Sequence, residues 1–138
     1  MRLTTKSRYG TRLILDLAIY GKDNIVPLND VAKRQNISLK YLEQLIGKLK
    51  KSGIINSHRG QAGGYTLAKK IQDITIGDIV RCLEGQTAIT ECAQEDKQFC
   101  GVCNKAGDCL SRWVWIEASK AMFNCLDSIS ISDLIKRQ

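Results

Sequence analysis

Apolar residues recur at helical spacing along most of the chain. Tyr9, Leu13, Leu17 and Ala18 fall on one face of a first helix, with Ser7 placed to cap its start and Gly21 near its end. Pro27 marks a turn. Leu28, Val31 and Ala32 then predict a short helix over Leu28–Gln35, which Asn36, Ile37 and Ser38 interrupt. Ser38 stands as the next N-cap. Leu39, Leu42, Leu45, Ile46 and Leu49 form the stripe of a third helix, and Gly53 takes the left-handed position beyond it.

Two short strand-like runs follow at residues 54–57 and 65–67, separated by the glycine-rich basic turn 58–64. Thr75 and Asp78 form a capping-box pattern ahead of Ile79, Val80 and Leu83, which predicts a fourth helix. Residues 84–108 show no apolar period. A segment that long inside a small domain calls for a function or for disorder. Asp108 is placed to cap a long helix reaching about Ser128. Leu110, Val114, Ala118, Ala121 and Cys125 mark one of its faces, while Trp115, Ile116, Phe123 and Leu126 lie off that stripe. A helix apolar around so much of its girth is expected to bury two sides, the second against another subunit. Ser130 and Asp133 cap a last short helix at residues 131–136.

The predicted fold class is mainly α with a minor β part. It comprises a winged helix-turn-helix DNA-binding domain at 1–83, a cysteine-rich loop at 84–109, and a dimerisation helix with a C-terminal helix at 110–138. Charge supports this division. The formal net charge is +7. Residues 1–74 carry 14 Lys and Arg against 5 Asp and Glu, and residues 75–138 carry 7 against 9. A basic front half suits a polyanion, and a helix-turn-helix with a basic wing makes duplex DNA the expected partner.

On the third helix Lys40, Tyr41, Glu43 and Gln44 lie off the core stripe. The N-terminal part of such a helix meets base edges in the major groove. Gln44 can bond an adenine edge and Glu43 can accept from cytosine. Ser38, Lys40 and Tyr41 are placed to touch phosphate and set register. Arg59, with Gly60 at the tip of the wing, suits a narrow minor groove. The glycine-rich turn lacks the Lys-Ser/Thr ending of a phosphate-binding P-loop.

The chain has no apolar run long enough to span a membrane and no evident signal peptide, so it is expected to be cytoplasmic. Thiols there stay reduced, which makes the six cysteines poor disulfide candidates. Four of them, Cys92, Cys100, Cys103 and Cys109, cluster in the loop and read first as a metal site. Thiolates are soft ligands for zinc or an iron–sulfur cluster. Only Cys100 and Cys103 form the close pair usual at structural zinc. A DNA-binding regulator whose loop binds zinc or senses thiol oxidation directly, and a redox enzyme built on Cys100 and Cys103, are the competing readings. Cys82 and Cys125 occupy apolar helical positions, as buried free cysteines do.

Three blocks carry a resemblance. Met1-Arg2-Leu3-Thr4-Thr5-Lys6-Ser7-Arg8-Tyr9, Ile37-Ser38-Leu39-Lys40-Tyr41-Leu42-Glu43-Gln44-Leu45 and Arg59-Gly60-Gln61-Ala62-Gly63-Gly64-Tyr65-Thr66-Leu67 resemble the Rrf-type bacterial transcription regulators, over essentially the whole chain. The resemblance implies a homodimer that binds operator DNA through Tyr41, Glu43, Gln44 and Arg59, with no enzymatic activity, small-molecule substrate or membrane association. Cluster-bearing members carry three loop cysteines, which Cys92, Cys103 and Cys109 match, and so imply an iron–sulfur cluster as cofactor. A [2Fe-2S] type fits the IscR branch. Where that branch has a histidine three residues after the last cysteine, this chain has Arg112. Cys100 is therefore the expected fourth ligand, with a ligand from elsewhere in the dimer or from solvent as the alternative.

Overall fold

The computed structural model describes residues 3–85, 88–94, 103–105 and 107–138. Helix α1 (Thr5–Tyr20) is followed by α2 (Leu28–Gln35) and α3 (Leu39–Lys51). Strands β1 (Ile55–His58) and β2 (Gly64–Leu67) form an antiparallel hairpin in which Ile55 faces Leu67 and His58 faces Gly64. Helix α4 (Ile76–Glu84), a 3-10 turn at Glu91–Ala93, helix α5 (Leu110–Asp127) and α6 (Ile131–Ile135) complete the order.

One core holds α1, α2, α3, α4 and α6 together. Leu13, Ile14, Leu17, Val31, Leu42, Leu49, Ile79, Leu83 and Ile131 are almost wholly shielded from water. Full burial of such side chains contributes roughly 1.5–3 kcal/mol each before the entropic cost of ordering the chain. Asp16 lies inside this core. Its carboxylate accepts from Arg34 Nε at 3.1 Å, Arg34 Nη2 at 2.6 Å and Gln35 Nε2 at 2.8 Å. A buried carboxylate so paired fixes how α2 sits on α1.

The turn into α3 relies on Asn36, whose left-handed backbone (φ 52°) ends α2. Ser38 then caps α3, its hydroxyl accepting from Tyr41 N at 3.2 Å. Val26 pairs with Tyr65 as an isolated bridge, so the wing is anchored to the segment ahead of α2. Thr75 and Asp78 form the expected capping box on α4, as Ser130 and Asp133 do on α6.

Two caps differ from the sequence expectation. Thr4, not Ser7, caps α1, because Ser7 turns its hydroxyl inward to Glu84, 77 positions away. Cys109, not Asp108, occupies the N-cap of α5, with no side-chain cap bond.

Helix α5 also differs in which face it buries. Ser119 and Phe123 are its buried residues, and Ile116, Met122 and Leu126 are half-buried. Leu110, Val114, Ala121 and Cys125, the stripe that looked like a core face, are exposed on the single chain. Trp113 and Trp115 are exposed as well, at 67% and 42%.

Candidate nucleic-acid interface and cysteine segment

Helix α3 presents two chemically different faces. Leu42, Leu45, Ile46 and Leu49 are buried, whereas Lys40, Glu43, Gln44, Lys50 and Lys51 are exposed. Lys40, Glu43 and Gln44 occupy its N-terminal half, and the lysines of the last turn suit a helix C-terminus. Lys48 is committed elsewhere, since its Nζ donates to the Leu83 carbonyl at 3.0 Å.

Tyr41 is half-buried rather than free. Its hydroxyl lies 3.2 Å from Thr5 Oγ1, and its ring meets Tyr9 edge to face at 5.8 Å between centroids. The hydroxyl stays at the protein surface, so the ring is held in one orientation while its polar end can still meet a phosphate. Thr5 and Tyr9 therefore frame the N-terminal half of α3. No local sequence pattern announces this, because the contact spans 36 positions.

At the wing, Arg59 is exposed between the two strands. Gly60 has φ +113°, a conformation closed to residues with a side chain, and its carbonyl accepts from Gly63 N at 3.0 Å. The role visible for Gly60 is thus to close the turn that carries Arg59. His58 is tied to Thr66 Oγ1 through Nε2 at 2.9 Å, which stiffens the hairpin below the tip.

Cys92 lies in the 3-10 turn and Cys109 at the start of α5. Arg112 joins their surroundings. Its Nε donates to the Cys92 carbonyl at 2.5 Å, its Nη2 to the Gln94 carbonyl at 3.2 Å, and its backbone N–H to the Cys109 carbonyl at 3.1 Å. Cys92 Sγ is 3.3 Å from Thr90 Oγ1 and Cys109 Sγ is 3.1 Å from Ser111 Oγ. The Ser111 side-chain hydrogen bond and the Arg112 backbone hold the Cys109 thiol below its ordinary pKa.

Cys103 is exposed, and Cys100 lies outside the described residues. Among the described residues no three His, Cys, Asp or Glu side chains are gathered into a metal-holding set. The donors themselves fit a thiophilic group, with three thiols in this one stretch and one of them biased toward thiolate. Outside it, Cys82 is half-buried and hydrogen-bonded to Ser52 Oγ at 3.3 Å, and Cys125 is exposed.

The Rrf2 family profile, described as "Iron-dependent Transcriptional regulator", matches residues 3–137. The chain belongs to the Rrf2 family. It is 46% identical to protein rrf2 of Nitratidesulfovibrio vulgaris over 99% of this chain and 88% of that protein. It is 37% identical to the HTH-type transcriptional regulator IscR of Yersinia enterocolitica, over 100% of this chain and 81% of that one. Its fold matches that of CymR (YrzC), the global cysteine regulator of B. subtilis, with a TM-score of 0.78 and 34% identity, covering 100% of this chain and 98% of CymR. Rrf2 members are transcriptional regulators and not enzymes, and the six helices and small wing among the described residues agree with their winged-helix DNA-binding fold. No helix among the described residues is long and apolar enough to cross a membrane.

Proposed function

We propose that this Rrf2-family regulator reads operator DNA as a homodimer and adjusts that reading through an iron–sulfur cluster held by its cysteine segment. Helix α3 enters the major groove, with Glu43 and Gln44 meeting base edges and Ser38, Lys40 and Tyr41 meeting phosphate. Arg59, set by the Gly60 turn, enters the adjacent minor groove. The observation that carries the DNA reading is the division of α3, buried at Leu42, Leu45, Ile46 and Leu49 along one face and polar and charged along the other.

The second copy packs on the exposed stripe of α5. Leu110 at 92% exposure, with Trp113 and Val114 beside it, is an apolar patch that a lone chain leaves in water. A two-fold contact there sets the distance between the two α3 helices, and half-site spacing is a geometric condition for binding.

Cys92, Cys103 and Cys109 would hold the cluster, with Cys100 as the fourth thiolate. When bound, such a group supplies redox-sensitive iron and the ligation free energy that orders the segment. Arg112 and the 3-10 turn pass any change of order to the start of α5. A coupling of about 1–3 kcal/mol suffices for a switch.

A second reading, direct thiol sensing, has its own support in the lowered pKa of the Cys109 thiol, the exposure of Cys103, and the likeness to a cysteine regulator. Purification without oxygen, followed by iron, sulfide and visible absorbance, separates the two. Iron and sulfide in near-equal amounts with visible colour supports the cluster. A colourless protein whose DNA affinity follows the oxidation of Cys109 supports thiol sensing. Failure to prefer any duplex over random DNA in either state overturns the DNA reading.

A further inference from the structure

The last turn of α4 reaches three other helices within four residues. Arg81 makes a two-pronged ion pair with Asp127 at the end of α5, at 2.7 and 2.6 Å. The Leu83 carbonyl receives Lys48 of α3. Glu84, the final residue, takes three donors on a single oxygen, Oε1: Thr4 N at 3.0 Å, Thr4 Oγ1 at 2.7 Å and Ser7 Oγ at 2.6 Å. Gly85 follows with φ +71°, so the chain leaves the helix there and heads toward the cysteine segment.

The donors on Glu84 belong to the start of α1. Thr4 is its N-cap and Ser7 sits in its first turn. Between them Thr5 touches the Tyr41 hydroxyl, and one turn later Tyr9 supports the Tyr41 ring. Three hydrogen bonds on one carboxylate oxygen exceed what a helix start needs, since the Thr4 side chain already caps Lys6 N. Charge-assisted bonds of this kind are short and directional. They fix the approach of α1 to the reading half of α3.

We infer that Glu84 is a positioning residue for DNA reading, holding the α1 start so that Thr5 and Tyr9 orient Tyr41 and the N-terminal half of α3. The turn that contains it joins α5, α3 and α1, and it immediately precedes the cysteine segment. Order gained or lost in that segment therefore arrives first at a residue already linked to the reading helix. The inference rests on α3 being the recognition helix.

The test begins with the full-length wild-type protein and a duplex that it selects from a random pool. Affinities for the selected duplex and for a scrambled one are measured over a range of salt. No wild-type preference between the two sinks the α3 reading itself and leaves nothing for Glu84 to position. Given that preference, Glu84→Ala should lose about tenfold on the selected duplex, while affinity for the scrambled duplex and the salt slope stay as they were.

Glu84→Gln keeps an oxygen acceptor in the same place and should recover most of the loss. Thr5→Val, which leaves Glu84 intact, should reduce the selected-to-scrambled ratio in the same direction. Asp133→Ala removes a comparable capping box on α6 and should leave the ratio alone. The inference is overturned if Glu84→Ala reads DNA like the parent, if it weakens both duplexes equally, or if Asp133→Ala lowers the ratio as much. Should Glu84→Ala fail to fold, an unchanged ratio in Thr5→Val overturns it as well.

Discussion

Arg112 donates to the carbonyl of Cys92 at 2.5 Å, so the first turn of α5 holds the backbone of a residue 20 positions earlier. In the IscR pattern a histidine would stand at this place. Here a guanidinium ties the 3-10 turn to the long helix by bonding the carbonyls of Cys92 and Gln94.

Replacing Arg112 with Ala should release residues 90–94 without disturbing the core. The bonds to Cys92 and Gln94 involve a charged donor, so the loss should be about 1.5–3 kcal/mol in denaturant unfolding. Alkylation of Cys92, followed by mass spectrometry, should speed up several-fold, while Cys82 keeps its rate. Equal Cys92 rates in parent and variant would show that Arg112 does not restrain the turn.

Gln44→Ala and Lys51→Ala should fail in different ways. Gln44 is exposed on the N-terminal half of α3, and its loss should cost about 1–3 kcal/mol of discrimination on the selected duplex. Lys51, exposed at the end of the helix, should weaken all duplexes alike and lower the salt slope by about one. Binding curves over a salt series distinguish the two outcomes, and identical behaviour of both variants would contradict the assignment.

The α4–α5 ion pair should appear in the pH dependence of stability. Hydrogen bonds from Arg81 hold the Asp127 carboxyl below its ordinary pKa. A carboxylate depressed in the folded state adds stability above its unfolded pKa, near 3.9, and that stability is lost as pH falls through the folded value. Asp127→Asn should thus be less stable than the parent at neutral pH and converge with it in strong acid. The gap should be only about 0.2–1 kcal/mol, because both partners are well exposed. Urea midpoints from pH 7 down to 2 give the comparison, and a gap that persists in acid would assign the loss to something other than charge.

Two glycines should respond in opposite directions to alanine. A Cβ on Gly64 would sit 2.3 Å from the Val26 carbonyl oxygen, which is backbone and cannot swing aside. Gly64→Ala should therefore open the Val26–Tyr65 bridge and cost about 1–3 kcal/mol. Gly47, inside α3, has open space around it, and Gly47→Ala should stabilise by roughly 0.5–1 kcal/mol. Thermal unfolding of both variants is the measurement.

Charging the exposed face of α5 should separate the subunits. Val114→Asp puts a carboxylate in the middle of the apolar stripe, where a docked copy would have to strip its water. Sedimentation should shift from dimer to monomer, with the helical circular dichroism preserved and operator affinity reduced. A dimer that survives Val114→Asp together with Trp113→Glu would place the subunit contact on another face.

Local patterns announced most of the elements. The bounds of α2 and α3 coincide with the apolar stripes of their own segments, and the capping boxes at Thr75 and Ser130 mark the starts of α4 and α6. These features are decided within a few residues of backbone, so the local code suffices. The basic wing, the two-faced α3 and the crowded cysteines are legible for the same reason.

Choices between neighbouring elements were not legible. Ser7 reads as a cap in isolation, yet it serves Glu84 of another helix. Lys48 stands off the apolar stripe of its own helix, yet its Nζ closes the end of α4 by donating to the Leu83 carbonyl. The stripe of α5 that has the right period for a core is the one left outside.

Taken alone, the amino-acid order determined the helices, the hairpin, the distribution of charge and the clustering of thiols, because each depends on period, capping chemistry or composition within a short stretch. Tertiary structure alone decided that Tyr41 leans on Thr5 and Tyr9, that Arg112 holds Cys92, and that one turn of α4 meets α1, α3 and α5. Those pairings depend on side chains 20 to 80 positions apart meeting only after the core has closed, and no pattern along the chain records the distance between them.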